Sequence, residues 1–196
     1  SLRDKSYYTM QNFKNMFLGG VSVQELIDRY DVSLVDLMTY LPADYREIEK
    51  SQIEIHYLGY YLKWVPQEAY YYAVDNTDFQ ARPFRTQGTY SKYNSIDDKI
   101  DDLHYYTTHA KFGLGRASYD SSQEVRNKHL TREEAVTLVK RYDGEFPDRY
   151  FAEVMDYIGM DPEHFVELCD KARSHHLWTK ESGEWQLRYP VWEVEP

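Results

Sequence analysis

The chain has few of the residues that cross-link a protein or anchor it in a membrane. Its 196 residues include one cysteine, Cys169, which excludes an intramolecular disulfide and a zinc site built from several cysteines. No apolar run approaches the about 20 residues that a membrane-spanning helix needs, and no signal-peptide pattern is present. These absences lead us to expect a cytoplasmic protein without a membrane span.

Positive charge is also scarce, since 23 basic residues stand against 33 acidic ones and the formal net charge is −10. This balance argues against a nucleic-acid binder, because such proteins hold phosphates with lysine and arginine. A small anionic ligand stays open where a few basic residues converge. The abundant residue is tyrosine, with 20 copies against 8 Phe and 4 Trp. Tyrosine suits interfaces and ligand clefts, and half-buried helix faces are the simpler explanation.

The hydrophobic pattern predicts a mostly α-helical fold with one or two short strands. Ser22 and Glu25 form a capping-box pattern at the start of one helix, and Ser33 begins another. Pro66 is expected in the first turn of a third helix.

One strand is predicted where apolar and polar residues alternate. Ile53, Ile55 and Tyr57 occupy every second position, and Gly59 is expected to end or bulge this strand.

An irregular stretch at 76–94 is followed by a pattern that stays helical almost to the end of the chain. A stretch of that length is functional or mobile in most proteins. One helix is predicted from Ser95, and later helices begin at the caps Thr131 and Asp161. The tail EWQLRYPVW predicts a short strand or irregular packing. We therefore expect one domain over 1–196, made of the segments 1–52, 53–94 and 95–196.

The helix predicted from Ser95 carries a polar stripe along one face. Its members are Asp97, Asp101, His104, Thr108 and Lys111. A solvated face explains such a stripe equally well. In the alternative, the carboxylates hold a metal or a sugar hydroxyl and the lysine meets a phosphate.

The stripe leads into the motif KFGLGRASYD at 111–120. It is neither a Walker loop nor a GxGxxG fingerprint, so a hinge between two helices is the favoured interpretation. Gly113 is predicted to cap the first helix, and Gly115 to allow a tight turn. Arg116 then lies beside the free N–H groups of the next helix, where anions bind. A salt-bridge ladder of Arg116, Asp120 and Glu124 competes with that role.

The irregular stretch gathers basic and hydroxyl side chains around Gly88. Arg85, Lys92 and Thr89 would suit the diphosphate of a nucleotide-linked sugar, and a solvated surface loop is equally compatible.

Other reactive residue types give no site. His175 and His176 lack a third ligand nearby, so no metal site is predicted there. Cys169 lies on an amphipathic helix and is expected in the core.

Several long blocks resemble one family. They are YYTMQNFKNMFLGGVSVQELI, IHYLGYYLKWVPQEAYYYAV, RTQGTYSKYNSIDDKIDDLHYYTTHAKFGLGRASYDSSQEVRN and LTREEAVTLVKRYDGEFP. Together they resemble the C-terminal half of the N-acetyl sugar amidotransferases, which act in lipopolysaccharide and O-antigen biosynthesis and belong to the PP-loop ATP-pyrophosphatase superfamily. The resemblance extends from about residue 7 to residue 178.

The resemblance implies an activity. Family members use ATP and Mg²⁺ to activate the acetamido carbonyl of a nucleotide-linked sugar, with release of pyrophosphate. Ammonia from a glutaminase partner, in a pair similar to the amidotransferase and cyclase of histidine biosynthesis, then displaces AMP and leaves an acetamidino group.

This chain departs from the family because it contains neither the SGGxDS pyrophosphate loop nor the paired cysteines. We therefore expect the C-terminal part of such an enzyme, a mostly helical portion of an α/β fold that is inactive alone and binds no ATP or Mg²⁺ by itself. Apolar surface left without the ATP-binding sheet would favour a homodimer or aggregation.

By analogy with this superfamily, roles can be assigned to the motifs above. Lys111 and Arg116 are predicted to reach the pyrophosphate, while Asp97, Asp101 and His104 line the sugar or metal side. The residues predicted to bind the sugar nucleotide are Arg85, Lys92, Thr89, Gly113, Gly115 and Asp120. A non-catalytic module that docks the glutaminase through a tyrosine-rich surface is the alternative.

Overall fold

A computed structural model describes residues 17–41, 45–51 and 56–194 of the chain. The chain divides into two compact units, Ser1–Trp64 and Val65–Pro196. Among the described residues, no helix combines the length and the apolar character needed to cross a membrane.

The described part of the first unit consists of short elements. A two-stranded antiparallel ribbon pairs β1 with β2, and helices follow it. The elements are β1 (Phe17–Leu18), β2 (Val21–Ser22), α1 (Val23–Tyr30), α2 (Leu34–Leu37), α3 (Tyr45–Ser51) and α4 (Leu58–Tyr61).

The caps predicted for this unit are present. The Ser22 hydroxyl accepts a hydrogen bond from the Glu25 N–H at 3.2 Å, and Ser33 caps α2 in the same way. The capping box at α1 is only half formed, because the Glu25 carboxylate binds Arg29 at 2.6 Å one turn further along.

The strand predicted from alternation lies mostly outside the described residues, and only its predicted end at Gly59 is corrected by the structure. Ile53 and Ile55 lie outside the described residues, and Gly59 lies inside α4 instead of ending a strand. The Leu62 N–H donates to the Leu58 carbonyl at 3.0 Å, which is a helical bond. A short apolar run such as LGYYL contains no period that separates helix from strand, so the sequence did not predict this helix.

The second unit is mainly helical and ends in a hairpin. Pro66 occupies the first turn of α5, as predicted. The elements are α5 (Pro66–Asn76), α6 (Asp101–Phe112), α7 (Arg116–Arg126), α8 (Arg132–Tyr142), α9 (Asp148–Ile158), α10 (Pro162–Ala172), β3 (Trp178–Glu181) and β4 (Glu184–Leu187).

Helix α6 begins at Asp101, so the prediction of a helix from Ser95 is wrong. The Asp98 carboxylate accepts hydrogen bonds from the N–H groups of Ile100 and Asp101 at 2.8 and 3.0 Å. These bonds satisfy free donors at the helix start, and an aspartate that does so competes with helix formation on its own N-terminal side. Asp97 therefore precedes the helix and does not belong to its face.

The core of the second unit lies where α6, α9 and α10 meet. Its buried members are Leu103, Ala110, Val154, Met155, Phe165 and Cys169. The core position of Cys169 is confirmed, and burial raises the pKa of its thiol. The predicted strand in EWQL pairs with β3 across a two-residue turn, Ser182–Gly183, in which both residues have positive φ. Such turns match the twist of a hairpin.

Candidate functional site

The turn between α6 and α7 is built as its glycines predict. Gly113 ends α6 in the left-handed region at φ 71°, where a residue without a Cβ has the least strain. Gly115 is extended, at φ −116°, and precedes the first residue of α7. A glycine is needed at this position because the Cβ of any other residue would lie 2.8 Å from Asp143 Oδ1, which is too close.

The start of α7 already holds an anion, the carboxylate of Asp143. The N–H of Gly115 donates to Oδ2 at 2.9 Å, and the N–H of Ser118 donates to Oδ1 at 3.1 Å. The Ser118 hydroxyl adds a bond of 2.5 Å to Oδ2. A free helix N-terminus would attract a phosphate, and here an internal carboxylate satisfies those donors.

Arg116 is held in place by two partners from its own surroundings. Its Nε donates to Asp120 Oδ1 at 2.8 Å, and its Nη1 donates to the Tyr105 hydroxyl at 3.1 Å. The first rung of the predicted ladder is therefore confirmed. Asp120 and Glu124 are both acidic and form no salt bridge with each other, and Glu124 pairs with His129 at 2.6 Å instead. Nη2 of Arg116 has no hydrogen-bond partner among the described residues.

Arg116 belongs to a polar cluster made of Thr89, Asp101, Tyr105, Arg116 and Asp120. Thr89 is 0% exposed, and its buried hydroxyl donates to Asp120 Oδ2 at 2.6 Å. The Tyr105 hydroxyl lies 3.5 Å from Asp101 Oδ2. It also bonds to Ser95, and burial raises its pKa. The structure thus brings four of the predicted site residues together around the Tyr105 ring.

The irregular stretch that supplies Thr89 is fixed by long-range ion pairs. Arg85 forms a two-pronged salt bridge with Glu145, at 2.5 and 2.6 Å. Glu145 also accepts the Gly88 N–H at 2.9 Å. Burial opposes ionisation of Glu145, but these donors outweigh it and lower its pKa. The solvated-loop alternative therefore fails for this part of the stretch, where Thr86 is also fully buried.

The remaining predicted site residues are at the surface. Lys92 is exposed and its ammonium donates to the Pro83 carbonyl at 3.2 Å. His104 and Lys111 are exposed on α6, with the Lys111 ammonium 5.3 Å from the centre of the Phe112 ring. The carboxylates of Asp97 and Asp101 approach that of Asp98, with ligand atoms within 4.8 Å of one another. Exposed acidic groups of this kind are common without an ion, so no metal is assigned to them.

One comparison with known families decides the relationship. A family model described as "LPS biosynthesis protein WbpG-like, C-terminal domain" matches residues 87–190, which is more than half of the chain. The chain belongs to this family. The predicted relationship to the C-terminal half of lipopolysaccharide-biosynthesis proteins is confirmed, and so is the mostly helical fold. No curated protein matches the chain.

The WbpG-like domain contains almost every predicted site residue, since only Arg85 lies before residue 87. It also contains residues that the sequence did not single out: Asp143, Glu145, Tyr105, His109 and Arg132. The partners of Asp143 lie 25 and 28 residues away in the chain, so no local pattern could connect them. His109 lies among polar residues of α6, so its position in the sequence did not indicate that it is partly buried. Its ring contacts Trp178 edge-on at 5.2 Å, and burial lowers its pKa.

Proposed function

We propose that this chain is the C-terminal part of an ATP-dependent N-acetyl sugar amidotransferase in lipopolysaccharide biosynthesis. The reaction would activate the acetamido oxygen of a nucleotide-linked sugar with ATP and release pyrophosphate. Ammonia then displaces AMP, which leaves with that oxygen, and an acetamidino group results. The observation that carries the proposal is the WbpG-like match over residues 87–190, together with the resemblance of the longer sequence blocks.

The polar cluster has the arrangement that substrate positioning needs. Arg116 is oriented by Asp120 and Tyr105, and its side chain is 24% exposed. Nη2 is the part of the guanidinium left to donate to a phosphate or pyrophosphate oxygen, and a fixed donor stabilises developing charge without reorganising. Asp101, at the half-buried edge of the cluster, would accept a sugar hydroxyl, with Asp97 beside it.

Other groups predicted to bind phosphate already have partners within the protein. Arg85 would have to release Glu145 before it could bind a diphosphate, because its donors are engaged. The N–H groups at the start of α7 are likewise committed to Asp143. We therefore assign no ATP-phosphate loop and no Mg²⁺ ligand to the described residues. ATP and Mg²⁺ belong, in this proposal, to the complete enzyme.

Arg116→Ala in the complete enzyme is the central test. Loss of a charge-assisted hydrogen bond present in the transition state should lower kcat/KM about tenfold or more. Arg126→Ala removes an exposed arginine from the last turn of the same helix and serves as the control. Circular dichroism should verify that both variants fold. Unchanged kcat and unchanged KM for both substrates in Arg116→Ala would exclude this role.

A second measurement concerns the 196-residue chain alone. Pyrophosphate release from ATP should be undetectable in the presence of Mg²⁺, ammonia and UDP-N-acetylglucosamine. A measurable rate would contradict the proposal that ATP activation needs a part absent from this sequence.

The alternative of a docking module for a glutaminase is favoured by exposed aromatic and aliphatic side chains. In the first unit they occupy 57–64 and are 57–79% exposed: Tyr57, Leu58, Tyr60, Tyr61, Leu62 and Trp64. In the second unit, Tyr71 and Tyr72 on α5 are 58% and 69% exposed. Aromatic residues are enriched at protein interfaces. Calorimetric titrations with a UDP-sugar and with the glutaminase subunit would separate the two functions, since each predicts a different binding partner.

A further inference from the structure

We propose that the cleft between α7, α8 and the segment 187–194 binds a small ligand that joins an oxyanion to an apolar or aromatic body. Arg132 is assigned as the partner of the oxyanion. The shared chemistry is a carboxylate or a phosphate next to a ring. This inference does not rest on the amidotransferase reaction: of the residues assigned to that reaction, Gly113 lines the larger cavity, but Arg116 and Lys111 do not.

The cleft consists of two adjoining cavities of about 290 and 280 Å³. They share four lining residues, Ser118, Arg132, Val139 and Val191. Sites for small molecules are mostly apolar cavities of about 300–1,000 Å³ with a few polar groups that fix orientation. Each cavity alone is at the lower limit of that range, and the two together lie within it.

Arg132 is an unneutralised cation at the wall common to both cavities. Its Nη2 donates to the Val194 carbonyl at 3.2 Å, and within the described residues no carboxylate lies at ion-pair distance. Arg85, Arg116 and Arg173 of the same unit pair with an acid, whereas Arg82, Arg149 and Arg188 donate to backbone carbonyls as Arg132 does. Arg132 differs from these three in lining both cavities. Arg132 is also the first residue of α8, so the positive end of the helix adds to its charge. Both effects favour an anion.

Two acidic groups near Arg132, those of Glu134 and Asp143, are engaged elsewhere. The Glu134 carboxylate accepts the Thr131 N–H at 2.8 Å as part of the capping box. Asp143 lines the larger cavity, and three donors at the start of α7 saturate it. His109, on the same wall, is partly buried, and burial lowers its pKa. Among the residues that line the two cavities, Arg132 therefore supplies the positive charge that is left for a ligand.

The apolar residues of the lining indicate that the rest of the ligand is apolar or aromatic. Val139, Leu187, Val191 and Val194 contribute aliphatic surface, and Trp192 contributes an indole ring. Trp192 is 36% exposed, so one part of it contacts the protein and another is accessible. A planar ring on the ligand would find an aromatic partner there.

The test uses phenyl phosphate and benzoate as probes with the 196-residue chain. Inorganic phosphate and benzyl alcohol are the half-ligands, which supply the anion or the ring alone. Binding is followed by NMR through the four tryptophan indole N–H signals. We expect the Trp192 signal to shift with phenyl phosphate or benzoate while the Trp64 signal does not. The probe that binds more tightly identifies the anion.

Three variants connect the binding to the cleft. Arg132→Gln should weaken the tighter probe about tenfold or more, since charge-assisted hydrogen bonds are lost. Arg141→Gln removes an exposed arginine from the other end of α8 and should leave the affinity unchanged. Val191→Phe should also weaken binding, because it fills space in both cavities without changing the charge. Its position on an irregular, partly exposed segment accommodates the larger ring.

Equal losses in Arg132→Gln and Arg141→Gln would show non-specific anion attraction and would overturn the proposal. Binding of phenyl phosphate and benzoate no tighter than that of the half-ligands would overturn it too. The same holds if the Trp192 signal does not move, or if Val191→Phe binds as well as the unchanged chain.

Discussion

The two units of the chain are stabilised in different ways. In Val65–Pro196, polar side chains are buried and bonded over long distances in the sequence. Thr86 and Thr89 are 0% exposed, and Arg85 pairs with a glutamate 60 residues away. In the described part of Ser1–Trp64, Leu37 is the one buried hydrophobic side chain, and the hydrogen bonds are local, as between Gln24 and Asp28.

This difference separates local from tertiary stabilisation. Caps and i,i+4 pairs contribute a few tenths of a kcal/mol to about 1 kcal/mol each and need no partner from elsewhere. A partly buried ion pair between distant segments, such as Arg85–Glu145, fixes the backbone on both sides, and removing one partner leaves the other charge unpaired. Substitutions should therefore have large effects in the second unit and small ones in the first.

The largest effect is expected for Glu145→Ala. It leaves Arg85 and the Gly88 N–H without their acceptor, and we expect a loss of about 2–3 kcal/mol in the free energy of unfolding. Urea unfolding followed by far-UV circular dichroism measures it. Glu153→Ala is the control, because its ion pair with Lys99 is about half exposed and should contribute less than about 1 kcal/mol. Equal losses in the two variants would contradict the structural role of the Arg85–Glu145 pair.

A smaller effect is expected for Gly113→Ala. Its positive φ should cost about 1–2 kcal/mol, and a Cβ would also lie 3.0 Å from Leu187 Cδ2. Gly159→Ala isolates the backbone cost, since φ is +65° there and no atom lies within 4 Å of the Cβ position. Thermal unfolding should rank Gly113→Ala as the less stable of the two. The reverse order would show that Leu187 moves aside without cost.

The pH dependence of stability tests the burial of His109. Burial places its folded pKa below the unfolded value of about 6.5. As the pH falls through that value, the unfolded state takes up the proton first, so stability is lost on acidification. Urea unfolding at pH 7.5 and 5.5 should show a smaller loss in His109→Gln than in the unchanged chain. His176→Gln, at an exposed position, should not alter the loss. An unaltered loss in His109→Gln would refute this assignment.

The smallest effect on stability is expected for Tyr60→Ser, because this tyrosine is 79% exposed. Unfolding free energy should change by less than about 0.5 kcal/mol. If the first unit mediates the predicted homodimer, sedimentation velocity should show weaker self-association. Tyr157→Ser is a control of equal exposure in the second unit. Identical sedimentation of both variants and the unchanged chain would exclude Tyr60 from a dimer interface.

Sequence patterns predicted the ends of most helices but not the start of α6. Asp161 and Thr131 cap their helices through bonds to N–H groups two or three residues away, and such short-range geometry can be read from residue order. The same chemistry produced the error at Ser95, because the Asp98 carboxylate accepts the N–H groups of Ile100 and Asp101 within a run whose pattern predicts a continuous helix.

In the candidate site, too, local contacts could be predicted from the sequence and long-range contacts could not. The i,i+4 pair of Arg116 and Asp120 could be predicted because it lies on one helix. That Thr89 would reach Asp120, 31 residues away, could not. The roles assigned to Lys111, Arg116 and Asp101 in binding substrate stay predictions.

By itself the sequence determined the helical class, the caps, the glycine at the end of α6 and the resemblance to lipopolysaccharide-biosynthesis proteins. Each of these depends on residue order over a few positions or on the similarity of whole blocks. Only the tertiary structure decided that Asp143 occupies the start of α7, that Glu145 neutralises Arg85 and that Arg132 has no acidic partner among the described residues. Whether two charged side chains form an ion pair depends on how distant segments of the chain pack, and no local sequence pattern gives the distance between those side chains.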